Sequence, residues 1–283
     1  MTEQKHIPVL LNSVLDALGD IQGKTVVDCT FGAGGYSRAF LSRGANVIAF
    51  DRDPNVRDDA DVLMREFGSR FTFVPQPFSH IADLNAPVDA IVFDLGISSM
   101  QIDTAERGFS FRMDAPLDMR MSGEGISALD LIQQMSVAEI AQILRDWGDV
   151  KKANILARAI KDEMPQTTFA LRDLIHNPKD VAPVFQALRI AVNDEMGELQ
   201  RALQAVPDLL ASGGKCICVT FHSLEDRYVK NVFREWTTPP GDPRMPIVAD
   251  APFDLLKTAL PADSELDNNP RARSAHMRGV IKV

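Results

Sequence analysis

Four short apolar, largely β-branched runs occupy the first third of the chain: Thr25–Cys29, Asn46–Asp51, Phe71–Val74 and Val88–Phe93. Helical patterns stand between them, over Ser37–Arg43 after a glycine turn and over Pro54–Phe67 after the second run. Strands buried on both faces read as continuous apolar runs. Alternation with helices then predicts a parallel sheet covered on both sides, an α/β fold.

Beyond about residue 107 the pattern turns purely helical. Ser136 and Glu139 form a capping box ahead of Ile140, Ile143, Leu144 and Trp147 at helical spacing. Helices are also predicted over Ala153–Ile160, Phe169–Ile175 and Pro183–Asn193, and the last stripe continues through Met196, Leu199 and Leu203. A fifth strand follows at Lys215–Phe221 and a terminal one at Met277–Val283, while residues 238–262 carry six prolines and no clear period. This predicts an α/β domain in two parts, 1–106 and 186–283, split by a helical insertion at 107–185 that is a candidate for substrate recognition.

The loop leaving the fourth strand, residues 94–121, is too rich in special residues for a plain connector. It holds Arg107, Arg112, Arg120, Phe109 and Phe111 beside Asp94, Asp103, Asp114 and Asp118. Open α/β sheets place their chemistry in loops beyond the carboxyl ends of parallel strands. A net charge of −9 over 283 residues argues against indiscriminate nucleic-acid binding. Local basic clusters remain, Arg227, Lys230 and Arg234 in one stretch and Arg271, Arg273, Arg278 and Lys282 in another, although such clusters are often only solvated faces. The N-terminus lacks an apolar signal core and no run approaches a membrane span, so the expected location is cytoplasmic with no membrane partner. Three cysteines form neither a disulfide framework nor, with five histidines, a zinc spacing; structural roles and no metal are expected.

Phe31-Gly32-Ala33-Gly34-Gly35 follows the first strand and opens a helix, where glycine lets a ligand approach the backbone. A dinucleotide fingerprint would want glycine at position 37, and the residue is Ser37; no Walker lysine motif occurs either. Asp51, ending the second strand, can accept from both ribose hydroxyls, and Asp94 ends the fourth. Together these point to an adenosyl ligand, S-adenosylmethionine rather than a triphosphate.

The chain also resembles the RsmH (MraW) family of bacterial methyltransferases. The matching stretches run in family order: His6–Leu11, Asp28–Gly35, Asp51–Pro54, Asp94–Ser99, Glu106–Phe111, Pro116–Met121, Phe185–Glu195, Phe221–Arg227 and Asn269–Ser274. The resemblance implies a Rossmann-like S-adenosylmethionine-dependent methyltransferase sheet with an inserted all-helical domain. It implies methylation of the exocyclic 4-amino group of a cytidine in the decoding region of small-subunit (16S) ribosomal RNA. Cofactor contacts carry over to Gly34, Gly35, Tyr36, Asp51, Phe78, Asp94 and Gln101. From its place at the end of the fourth strand, Asp94 is also expected to lie at the junction of cofactor and amine. Departures occur at Tyr36, where many relatives have histidine, at Trp147–Val150, and in the tail Ser274–Arg278. For C5 methylation a cysteine would have to sit in a substrate loop, and Cys29 lies under the glycine turn instead.

RNA is expected to meet aromatics and arginines. The candidates are Arg107, Phe109, Phe111, Arg112, Arg120, His222, Ser223, Arg227, Arg271 and Arg273. Loop 106–121 is expected to close over the flipped base, and an assembled or nearly assembled small subunit is the expected partner. Two rival readings are a nicotinamide-dependent oxidoreductase, which Ser37 disfavours, and a non-catalytic ribosome-binding protein that retains the fold.

Overall fold

The computed structural model describes residues 8–240 and 250–283. In chain order the elements are α1 (Leu11–Leu18), β1 (Thr25–Asp28), α2 (Gly35–Ser42), β2 (Asn46–Phe50), α3 (Arg57–Phe67), β3 (Phe71–Val74), β4 (Val88–Asp94), α4 (Ser99–Asp103), α5 (Ala128–Gln134), α6 (Val137–Asp146), α7 (Ala153–Glu163), α8 (Thr168–Leu174), α9 (Pro178–Asn193), α10 (Glu195–Leu209), β5 (Leu210–Thr220), α11 (Ser223–Trp236), β6 (Phe253–Leu255), α12 (Asp263–Asn268) and β7 (His276–Lys282). They form two compact units, one of residues 1–96 and 198–283, the other of 97–197.

The first unit is built on a seven-stranded sheet of order β3-β2-β1-β4-β5-β7-β6. β1 to β5 pair in parallel, as their apolar runs predict. β7 and β6 run antiparallel at the edge. The sheet centre is fully apolar and closed to water: Val26, Val27, Ile91, Val92, Phe93, Ile217 and Val219 are all 0% exposed. Cys29, Cys216 and Cys218 lie in the same core as free thiols, and burial pushes the Cys29 and Cys218 thiols well up. β6 falls inside the proline-rich stretch read as irregular, where a three-residue strand leaves no measurable period. Residues 241–249 of that stretch, and His6 and Ile7 of the N-terminal motif, lie outside the described residues.

The second unit is all helical apart from one isolated bridge, Pro116 to Thr167. It begins ten residues before and ends twelve after the bounds 107 and 185 read from sequence, because α4 and the whole of α9 pack within it. α9 starts at Pro178 instead of Pro183: Asn177 caps it by accepting from Lys179 N, and Pro183 is tolerated inside it. Ser127 and Ser136 close capping boxes with Asp130 and Glu139. Leu117, Met119, Ile132, Ile140, Leu144, Ile160, Leu171 and Leu188 form one buried core.

Loop 107–121 is woven into that core. Met119 is 0% exposed, and its backbone sits in the left-handed region at φ 63°. Leu117 N donates to Gln166 O, Thr168 N to Ala115 O, and Leu129 N to Leu117 O. Asn193, at the end of α9, accepts from Met121 N at 2.8 Å and donates to Met119 O at 2.7 Å and Arg189 O at 2.9 Å. The loop's apolar residues are thus anchored in the helical core.

Candidate active site at the carboxyl edge of the sheet

β1, β2 and β4 end side by side, and each delivers a carboxylate there: Asp28, Asp51 and Asp94. Between them the glycine turn opens α2. Gly34 adopts φ 76°, and a Cβ at that position would lie 2.9 Å from the Phe31 ring, so only glycine fits. Gly32 N donates to Asp51 Oδ2 at 2.8 Å and Asp53 N to Asp51 Oδ1 at 2.8 Å, which ties the turn to β2. Burial raises the Asp51 carboxyl above its ordinary range, with Asp53 nearby adding repulsion.

Asp28 is completely buried. It accepts from Ser37 Oγ at 2.7 Å and Thr30 N at 3.2 Å, and burial still lifts it from 3.8 to about 6. Thr30 Oγ1 in turn accepts from Asp94 N at 2.8 Å, linking the turn to the end of β4. Asp94 itself is held well above the carboxylate range, first by burial and then by the charges of Asp28 and Glu225. Its Oδ1 is buried without a hydrogen-bond partner. Phe78, just past β3, is half-buried with its ring edge-on to Phe93 at 5.6 Å.

The buried Tyr36 hydroxyl donates to Val9 O, which leaves a backbone contact as the one its position at the start of α2 offers. Gln101 belongs to the helical unit and caps α4, its Oε1 accepting from Ser98 N at 3.1 Å.

His222 follows β5 and caps α11, its Nδ1 accepting from Glu225 N at 3.4 Å. Glu225 completes the box, accepting from Phe221 N at 2.9 Å and His222 N at 3.3 Å. Ser223, opening α11, and Arg227, one turn on, are exposed. Asp226 is engaged by Arg278 at 2.7 and 2.8 Å, which lowers its carboxyl and removes Arg278 from the basic cluster. Arg273 is exposed; the Arg271 side chain lies outside the described part.

Of the candidates in loop 106–121, several are claimed by the helical unit. Phe109 is only 7% exposed and Arg107 lies over its ring at 5.7 Å, while Arg107 donates to Arg120 O and Met121 O. Arg120 forms a bidentate pair with Asp118. Phe111 packs edge-on to Phe185 at 5.6 Å. These residues hold the loop's shape, so base stacking by Phe109 is corrected: its faces are covered. Arg112 is the exposed arginine of the loop. Sequence reasoning missed Asp28 as a member of the edge cluster, and Asn193 as the clamp of the loop. A lone Asp in an apolar strand was the available signal for the first.

A model of the MraW methylase family matches residues 3–283. The chain belongs to the MraW methylase family. Relatives are similar over 99% of this chain: the Ribosomal RNA small subunit methyltransferase H of Rhizobium leguminosarum bv. trifolii (strain WSM1325) is 44% identical, with 88% of its length covered. That of Agrobacterium fabrum (strain C58) is 43% identical, again with 88% covered. Among solved structures, an rRNA methylase from Streptococcus thermophilus aligns over 98% of this chain and 99% of its own, at 13% identity and a TM-score of 0.47. No helix among the described residues is long and apolar enough to cross a membrane.

Proposed function

We propose that this MraW-family methylase transfers a methyl group from S-adenosylmethionine to the exocyclic 4-amino group of a cytidine in the decoding region of 16S ribosomal RNA. The observation that carries the reading is Asp94: a carboxylate at the end of β4, buried, with Oδ1 lacking a partner, beside the glycine turn. A buried acceptor without a partner costs about 1–3 kcal/mol and is kept where a ligand supplies the missing donor.

The residues fit the cofactor. Gly34 makes the tight left-handed turn that opens α2 at Gly35 and Tyr36, Asp51 follows β2 where such folds hold a ribose, and Phe78 lies just past β3. S-adenosylmethionine supplies an electrophilic methyl on a positively charged sulfur. The cytosine amine is a weak nucleophile because its lone pair is delocalised into the ring, so the protein's task is orientation and charge stabilisation. Burial holds the Asp94 carboxyl up, and beside a bound positive sulfonium it would ionise, so that it accepts an amine hydrogen and offers negative charge beside the nitrogen.

RNA recognition falls to the helical insertion and to the exposed Arg112, Arg227 and Arg273. A net charge of −9 favours a folded ribonucleoprotein surface over naked RNA as the substrate. Nucleoside mass spectrometry of 16S RNA from cells with and without the gene tests the reading. N4-methylcytidine at a decoding-region position is expected to disappear with the gene, and its persistence overturns the proposal.

A further inference from the structure

Two buried side-chain polar atoms among the described residues have no hydrogen-bond partner, and both belong to the sheet edge: Asp94 Oδ1 and His222 Nε2. They sit on neighbouring strand ends. β4 and β5 pair in parallel with Asp94 opposite Val219, and Leu95 N donates to Val219 O at 2.9 Å. The two segments stay together beyond the strands, since a Cβ on Gly96 would lie 3.7 Å from the Phe221 ring. Glu225 connects the pair, standing 2.9 Å from His222 Nε2 and acting electrostatically on Asp94.

The two atoms have opposite hydrogen-bonding character. Capping α11 uses the Nδ1 lone pair of His222, so the neutral ring carries its hydrogen on Nε2. Nε2 is therefore a donor, and its approach to Glu225 Oε1 lies outside hydrogen-bonding geometry. Asp94 Oδ1 is an acceptor. Capping alone does not call for this arrangement, because Ser, Thr, Asn or Asp cap a helix with a shorter side chain and leave no buried ring nitrogen over.

An acceptor beside a donor complements an amino group next to a ring-nitrogen acceptor, the edge of cytosine, which adenine shares and uracil lacks. Cytosine presents the 4-amino donor next to the N3 acceptor, whereas uracil presents an acceptor next to a donor. We propose that Asp94 and His222 read the Watson–Crick edge of the target base, Asp94 accepting from the 4-amino group and His222 Nε2 donating to N3. This rests on the cytosine-amine reading above and gives His222 a selecting role within it. Uracil meets a carboxylate at its carbonyl and an N–H donor at its own N–H. The site therefore rejects it by unpaired and repelling groups as well as by its lack of an amine.

The test uses small subunits whose RNA carries 3-deazacytidine at the target position. That base keeps the amine and replaces N3 by C–H, which withdraws less electron density from the amine and so does not weaken it as a nucleophile. The wild-type protein is expected to lose about tenfold or more in kcat/KM on it, as for one lost buried hydrogen bond. His222→Asn, which retains a capping side chain, is expected to lose a similar factor on cytidine and nothing further on 3-deazacytidine. Equal rates for wild type on both bases overturn the proposal, and need no variant to be seen. Losses that multiply when variant and analogue are combined also overturn it, leaving His222 as a helix cap only. Absence of any N4-methylcytidine from the wild-type reaction on cytidine overturns the underlying reading instead.

Discussion

At the scale of single residues, the strand-end carboxylates do different work because their surroundings differ. Asp51 accepts two backbone amides and stands at the ribose position, so Asp51→Ala is expected to weaken S-adenosylmethionine binding at least tenfold, on the order of 1.4 kcal/mol, by calorimetry. Asp28 has no exposure, and its carboxyl titrates at about 6 when folded against an ordinary 3.8. Between those values the folded chain binds more protons at Asp28 than the unfolded chain, so this group makes stability fall as pH rises from about 4 to about 6. Asp28→Asn is expected to flatten that part of the profile in denaturant unfolding across the same range; an unchanged slope would remove Asp28 as its source. Asp51 and Asp94 could be read from sequence because each ends an apolar strand beside a turn. Which side chains would be claimed by neighbours could not. Arg107 and Arg120 have the chemistry to bind phosphate, yet carbonyls and Asp118 of their own loop take them.

At the scale of elements, periodicity located β1 to β5, β7, α2, α3 and α6 to α10, because burial on one or both faces leaves a repeating apolar signature, but it left α1, α4, α5, α11 and α12 unread. It failed where an element is too short to repeat, as in β6, or where a proline masks a start, as in α9. The clamp on loop 107–121 was hidden for another reason: Asn193 lies 72 and 74 residues from the groups it binds, and no local pattern encodes such a contact. Asn193→Ala leaves a buried amide and carbonyl without partners, so a loss of roughly 2 kcal/mol or more in stability is expected. Hydrogen exchange at the Met121 amide should accelerate correspondingly; unchanged protection would show that the clamp is dispensable. His222 escaped notice as a cap because histidine is an unusual one, although the glutamate three residues on was in plain view.

At the scale of the whole molecule, the division of labour predicts that RNA and cofactor binding separate by mutation. Arg112→Ala is expected to raise the apparent Michaelis constant for small subunits and flatten its salt dependence, with S-adenosylmethionine affinity unchanged. Loss of cofactor affinity in that variant would instead make the loop part of the cofactor site. The placement of the helical unit in the chain has a consequence for how the protein acquires its structure. β4 and β5 are partners in the sheet, yet the whole of the unit from 97 to 197 is threaded between them. Their pairing closes a long loop, whose entropic penalty must be met before any strand contact forms. The helices depend on contacts closer in sequence and can order early, shortening the effective loop. The sheet then assembles on a template its own middle has made. Asn193→Ala should therefore slow refolding as well as hasten unfolding, and stopped-flow chevrons would show whether both arms move.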